Sequence, residues 1–311
     1  MRAIYTIRNI REKHVIVGGF SIKRFLIRAS LPFLFMSLTA HQLAVAENVE
    51  SYVRNGEALD QSEWPAVFIF MSKDGALCTS TVVGEGAVLT AAHCTTGGRG
   101  GRIGKTIVDP DENRTIKNGT EVICEPYSRY KTNEELDYAL CTYKVDSAKS
   151  LGRPYESLSV QNNELTIDVP LTMVGYGCTG YHISNDEGTT IYEDLENLFT
   201  FGELHGGSAK IVELPDDSNP YITTEGTTTT CVSDSGGPAF IDVNGVRAIV
   251  GVSKKSSLNR KSFFAPIANE DFIEWIRKWL QNRPEVKICG ISSDATNCRQ
   301  SNPVRNNSTF K

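Results

Sequence analysis

The sequence predicts an all-β protein that ends in one α-helix. Short runs of β-branched and aromatic residues are separated by glycine-containing turns, and no long helical pattern interrupts them before residue 268. Apolar side chains then recur at helical spacing between Phe272 and Leu280. Composition and periodicity by themselves indicate this fold class and do not choose among all-β architectures.

The individual elements follow from these patterns in chain order. The first predicted strands are residues 66–70, 79–83 and 87–90. The helix is predicted over residues 270–281, where the apolar residues fall on one face. The polar tail, residues 284–311, is too short to bury a core of its own. We expect it to be a solvated loop pinned by a disulfide, with attachment to a partner or a cell surface as the alternative.

The composition is ordinary for a soluble globular protein. The chain of 311 residues is 40% hydrophobic and 22% charged, with a formal net charge of −5. Nothing in this balance suggests a nucleic-acid partner. The five histidines form no metal-ligand pattern with other residues, so we expect neither a metal ion nor an organic cofactor.

Residues 1–46 are predicted to be a secretory signal peptide. Residues 1–28 contain seven basic residues and one acid, and the apolar run at 29–40 is too short to span a bilayer comfortably. Ala44-Val45-Ala46 then matches a small-x-small cleavage site. Cleavage after Ala46 would export the remaining 265 residues (311 − 46) without a membrane span. An uncleaved membrane anchor is the alternative.

Three short segments contain the side chains of a candidate catalytic site. They read Thr-Ala-Ala-His-Cys at residues 90–94, Asp-Tyr-Ala-Leu at 137–140 and Ser-Asp-Ser-Gly-Gly-Pro at 233–238. A serine hydroxyl is a weak nucleophile at neutral pH, so it needs an imidazole to take its proton, and the imidazole needs a carboxylate to fix its tautomer. His93, Asp137 and Ser235 fit these three roles. Each segment alone could be structural, but all three in one order are far less expected by chance.

The order His, Asp, Ser, carried on these motifs, resembles the trypsin/chymotrypsin-like serine proteases. The resemblance covers roughly residues 53–283. It implies a chymotrypsin-like fold of two six-stranded antiparallel β-barrels, with the site between them and the C-terminal α-helix closing the second. It also implies that Ser235 attacks a peptide carbonyl, that His93 takes and returns the proton, and that Asp137 holds the imidazole.

The eight cysteines all follow residue 46, and an even number in an exported chain indicates disulfides. By resemblance, Cys78 and Cys94 match the family's histidine-loop disulfide. Cys231 stands where the family has a cysteine, but its usual downstream partner is missing, and Cys178 looks like the substitute. The two remaining pairs are hypotheses: Cys124 with Cys141, and Cys289 with Cys298.

The resemblance also implies activation by proteolysis, as in a zymogen. In the family a freed N-terminal ammonium is buried against the acid before the nucleophile, here Asp234, and this orders the substrate pocket. The segment that best matches the family's domain opening begins at Val53, with residues 47–52 as a short propeptide. Tyr52 precedes this position, so the activating protease need not cleave after a basic residue.

The expected oxyanion hole consists of the backbone N–H groups of Ser235 and Ser233. The family has glycine at the position of Ser233, and a residue with a Cβ enters such backbone conformations at a cost of about 1 to 2 kcal/mol. Two interpretations stay open. The serine is tolerated, or the hole is incompletely formed at rest.

The expected substrate pocket lacks the charge that selects basic residues. Thr229 lies six residues before Ser235, where an aspartate in the family selects Lys or Arg, so strong selectivity of that kind is not expected. Ser253 matches a family serine at the pocket edge. Lys254 and Lys255 follow it, and they either favour acidic substrates or form a solvated surface.

The predicted function is therefore that of a secreted, monomeric serine endopeptidase that acts on proteins or peptides and is processed by an activating protease. The alternative is a silenced homologue that serves as a binding or adaptor module. Ser233, the unusual pocket edge and the weak activation site favour that alternative.

Overall fold

Antiparallel β-strands are the main regular elements of the computed structural model. It describes residues 52–108, 115–144, 151–161, 164–178, 183–184, 191–192, 202–257 and 260–300. All of these belong to one compact unit, residues 48–311. The predicted signal peptide, most of the predicted propeptide and residues 301–311 lie outside the described residues. Within these ranges, no helix is both long enough and apolar enough to cross a bilayer.

Six strands form a closed first barrel. The strands at residues 67–72, 77–84 and 87–90 are mostly buried and appear in the sequence as nearly continuous apolar or β-branched runs, whereas those at 100–104 and 120–126 are only partly buried. In order around the barrel they are β2 (Val67–Ser72), β3 (Leu77–Gly84), β4 (Ala87–Thr90), β9 (Ala139–Thr142), β8 (Thr120–Pro126) and β5 (Gly100–Gly104), which closes on β2.

Six later strands form a second barrel. In order they are β11 (Pro170–Gly175), β14 (His205–Glu213), β15 (Ile222–Glu225), β18 (Lys261–Pro266), β17 (Val246–Ser257) and β16 (Pro238–Val243), which pairs again with β11. Two short strands extend this sheet, β1 (Glu57–Ala58) on β14 and β10 (Ser157–Leu158) on β17. Two short hairpins complete the described strands: β6 (Ile107–Val108) with β7 (Thr115–Ile116), and β12 (Ile183–Ser184) with β13 (Ile191–Tyr192). The fold class expected from the sequence is confirmed.

The helices are α1 (Tyr52–Asn55), a single turn, and α2 (Glu270–Gln281). Asn269 caps α2 by accepting a hydrogen bond from the Phe272 N–H at 2.8 Å, and two acidic residues in the first turn complement the helix dipole. Phe272, Ile276 and Trp279 form the buried face. The predicted C-terminal helix is therefore confirmed.

The disulfide between Cys289 and Cys298 pins the C-terminal tail as expected, but the segment around Ile288 is part of the core rather than solvated. Val286, Ile288 and Cys289 are buried. The Cys289 N–H donates to the Val83 carbonyl at 2.8 Å, and the Cys289 carbonyl accepts from the Leu158 N–H at 2.9 Å. The tail thus lies between β3 and β10. Its few apolar residues follow no regular spacing, and the sequence pattern gave no sign of their burial.

A buried ion cluster also holds the tail. The Glu156 side chain is fully buried between two arginines: Arg247 Nη2 lies 2.6 Å from Oε1, and Arg299 Nε lies 3.0 Å from Oε2. Arg247 belongs to β17 and stacks on the Trp64 ring, 3.5 Å from its centroid. Since Arg299 belongs to the tail, one carboxylate joins the tail to the second barrel.

We predict that Glu156→Gln lowers the free energy of unfolding by about 3 kcal/mol or more, because it leaves two largely buried guanidinium groups without a carboxylate. Asp168→Asn is the control, since Asp168 pairs with Lys210 in an exposed position and its loss should cost about 1 kcal/mol or less. Denaturant unfolding with the disulfides intact measures both. Equal costs for the two variants would contradict the role of Glu156.

Candidate active site

His93 and Asp137 lie at the same end of two neighbouring strands. Thr90 of β4 faces Ala139 of β9 in antiparallel register, so the residues just after β4 meet those just before β9. His93 begins a turn of 3-10 helix, His93–Thr95. Asp137 is fully buried; it accepts from the His93 backbone N–H at 2.9 Å, and its Oδ2 lies 2.6 Å from His93 Nδ1. The carboxylate is therefore placed to orient the imidazole.

The neighbours of this pair fix its position. Tyr138, directly after Asp137, packs edge-on against Phe272 of α2, with ring centroids 4.8 Å apart. The disulfide between Cys78 and Cys94 joins the turn that begins at His93 to β3. The helix and the disulfide thus restrain the carboxylate and the imidazole respectively.

The loop that contains Ser235 is organised around a second buried carboxylate. Asp234 accepts hydrogen bonds from the backbone N–H groups of Gly177 and Cys231, each at 2.8 Å. The disulfide between Cys178 and Cys231 joins the same two segments. The structure contains all four expected disulfides: Cys78–Cys94 and Cys178–Cys231, which the resemblance suggested, and Cys124–Cys141 and Cys289–Cys298, which were hypotheses for the remaining cysteines.

Thr79 is a residue of the site that the sequence analysis missed. It lies in β3 of the first barrel, but its hydroxyl donates to the Ser233 carbonyl at 3.0 Å and its N–H donates to the Ser235 carbonyl at 2.8 Å. It therefore ties the serine loop of the second barrel to the first barrel. Its only signal in the sequence is its place beside Cys78.

Asp234 has no cationic partner among the described residues. Burial raises the pKa of its carboxyl to about 7, against the two N–H donors, which lower it. Val53, the expected new N-terminus, is buried with the core of the second barrel, and no hydrogen bond joins it to Asp234 in the described part of the chain. The structure therefore does not bring these two predicted partners together.

Ser233 has a φ of 72°, in the left-handed region that favours glycine. Across the described ranges, the backbone N–H groups of Ser233 and Ser235 donate no hydrogen bond. Gly236 follows with a φ of 81°, and a Cβ there would lie 2.2 Å from Thr90 Oγ1. Only glycine fits at that position.

The Ser235 hydroxyl makes no hydrogen bond to His93 within the described residues. Its Oγ donates to the Lys254 carbonyl at 3.5 Å. The Lys254 ammonium lies 3.8 Å from Asp137 Oδ2 and donates to the Glu134 carbonyl. Its side chain is only 13% exposed, so Lys254 does not form a solvated surface.

The other expected pocket residues lie beside the serine loop. Ser253 of β17 pairs through its backbone with Gly236 and Gly237, at 2.7 and 2.8 Å, and its side chain is buried. Thr229 is also buried, while the Lys255 ammonium lies 4.9 Å from the Tyr221 ring centroid.

The site contains one apparent metal cluster, Cys78, His93 and Cys94, but its two sulfurs are bonded to each other and offer no thiolate.

Comparisons with known proteins agree with this architecture. The family model described as Trypsin matches residues 53–276. The venom plasminogen activator Haly-PA of Gloydius brevicauda is 26% identical over 256 residues, which cover 79% of this chain and 93% of that protein. The alpha-fibrinogenase albofibrase of Trimeresurus albolabris is 27% identical over 210 residues, 63% of this chain and 75% of that protein. The structure of human heparin binding protein aligns with a TM-score of 0.53 at 16% identity, over 74% of this chain and 97% of that one, a likeness of fold alone.

We predict that the unprocessed chain loses stability as the pH rises from about 4 to about 7. In this window the folded protein keeps the Asp234 proton and the unfolded chain releases it, so the free energy of unfolding falls by up to about 1.4 kcal/mol per pH unit. Asp234→Asn should remove this component. Denaturant unfolding across pH 3.5 to 8 measures it, with exposed Asp217→Asn as the control. If the free energy of unfolding depends on pH in the same way in Asp234→Asn and the parent chain, Asp234 is not the group responsible.

We predict that Ser233→Gly raises the free energy of unfolding by about 0.5 to 1 kcal/mol, because glycine adopts a φ of 72° without the Cβ penalty. Ser233→Ala, which keeps the Cβ, should give no such gain. Thermal and denaturant unfolding compare the two variants. A decrease of about 1 kcal/mol in the free energy of unfolding of Ser233→Gly, the effect of glycine at a position with negative φ, would contradict this prediction.

Proposed function

This chain belongs to the trypsin family of serine proteases, and from that premise we propose that it is a secreted endopeptidase whose triad is His93, Asp137 and Ser235. The observation that carries the proposal is the contact of 2.6 Å between His93 Nδ1 and the buried Asp137 carboxylate. A buried carboxylate on Nδ1 fixes the tautomer that leaves Nε2 free to accept a proton.

The reaction follows from these positions. Ser235 Oγ leaves the Lys254 carbonyl, transfers its proton to His93 Nε2 and forms a bond to the peptide carbonyl carbon. The free N–H groups of Ser233 and Ser235 stabilise the resulting oxyanion. The tetrahedral intermediate collapses as His93 returns the proton to the leaving amine. Water then hydrolyses the acyl-enzyme. His93 takes a proton from the attacking water and gives it to Ser235 Oγ as the acyl bond breaks.

Several features support secretion and processing. Four disulfides are typical of an oxidising compartment, and the relative Haly-PA is by its name a venom protein. The carboxyl of Asp234, buried without a cation, supports activation by a freed N-terminus near Val53, whose ammonium would supply the missing charge. Sequencing the N-terminus of the active form tests this step, and an active form that still contains Glu47 would exclude it.

Membership of the family implies protein or peptide substrates. The selectivity of the primary pocket is a separate proposal. Thr229 is neutral, so we propose that the primary pocket does not select Lys or Arg strongly. The names of the venom relatives refer to plasminogen and fibrinogen, and they show only that homologous proteins act on large proteins. A peptide library would measure the selectivity, and dominant cleavage after Lys or Arg would overturn the proposal.

Two observations favour the second candidate function, a silenced binding module. Ser235 Oγ bonds to a backbone carbonyl rather than to His93, and Ser233 occupies a strained conformation. A protein of this kind would keep the fold and bind partners without cleaving them. Chemical reactivity of Ser235 separates the two candidates.

We predict that a fluorophosphonate probe labels the processed protein covalently and that Ser235→Ala abolishes the labelling, because the probe needs a serine activated by its imidazole. In-gel fluorescence measures the reaction. Ser218→Ala, an exposed serine remote in sequence from the triad, serves as the control and should label normally. Absence of labelling in a folded, processed protein would favour the binding module.

A further inference from the structure

Lys254 touches the catalytic centre at two points. Its Nζ lies 3.8 Å from Asp137 Oδ2, the same oxygen that lies 2.6 Å from His93 Nδ1. Its backbone carbonyl accepts the Ser235 hydroxyl at 3.5 Å. One residue of β17 is therefore in contact with both the carboxylate and the nucleophile.

The Lys254 side chain is held in this position rather than free in solvent. Only 13% of it is exposed, its ammonium donates to the Glu134 carbonyl, and it lies 5.5 Å from the Tyr221 ring centroid. Burial lowers the pKa of Lys254, and the charge of Asp137 opposes that shift. The charged groups that act on it are Asp137, Glu134, Glu135 and Lys255.

We propose that Lys254 is a positioning residue that restrains the triad at rest, through its ammonium on Asp137 and its carbonyl on Ser235. This inference rests on the proposed endopeptidase function. Catalysis converts His93 into an imidazolium that Asp137 must stabilise. A lysine ammonium on the same oxygen takes part of that stabilisation and repels the new charge. Ser235 must also give up its bond to Lys254 before it can transfer its proton.

We expect the pH–rate profile to change in Lys254→Met, which keeps most of the length of the side chain and removes the charge. The plateau of kcat/KM for an ester substrate should rise several-fold, and the acid limb of the pH–rate profile should move to higher pH by about 0.5 to 1 unit. Lys254→Arg keeps the charge and should leave the acid limb in place. Lys255→Met removes a neighbouring charge that has no contact with Asp137, so it should move the limb much less.

A second measurement does not depend on activity. In the Ser235→Ala background, proton NMR detects the downfield proton between His93 Nδ1 and Asp137, and with Lys254→Met this signal should persist to higher pH. If Lys254→Met does not fold, Lys254→Gln replaces it in both experiments. An unmoved acid limb together with an unmoved NMR signal, or a loss of rate without a change in pH profile, would overturn the inference. An enzyme that is inactive in every variant would overturn the proposed function, and the NMR signal would still decide the role of Lys254.

Discussion

The carboxylate of Asp137 is the group on which the arrangement of the site depends. It is completely buried, and it is in contact with the backbone and imidazole of His93 and with the Lys254 ammonium. A buried charge is stable only when such partners surround it. Several parts of the fold therefore serve to place one side chain: the register of β4 and β9, and the packing of α2 on Tyr138.

A second buried carboxylate, Asp234, organises the other half of the site. It orders the serine loop through two backbone N–H groups, and Gly175 and Gly177 leave the space that it occupies. Thr79 then fixes this loop to the first barrel. Polar contacts of Thr79 thus join the serine loop to the first barrel, and one apolar cluster that contains residues of both barrels, among them Phe70 and Phe240, packs the barrels together.

The sequence predicted the features that depend on local patterns or family motifs. The helix at residues 270–281 follows from its apolar spacing, and the two-barrel fold follows from the ordered motifs around His93, Asp137 and Ser235. It did not predict contacts that join distant segments through single polar groups. Thr79 on the serine loop and Glu156 between two arginines have no periodic signal. Lys254 was expected at a pocket edge, but a pattern of residue types cannot tell which way a long side chain turns.

The proposed chemistry requires Ser235 to be a nucleophile that His93 activates. Mass spectrometry can detect this activation in the processed protein, mixed with a p-nitrophenyl ester at mildly acidic pH where deacylation is slow. We expect one acyl group on the peptide that contains Ser235 and none in His93→Ala. An acyl group on another residue, or equal acylation of His93→Ala, would contradict it.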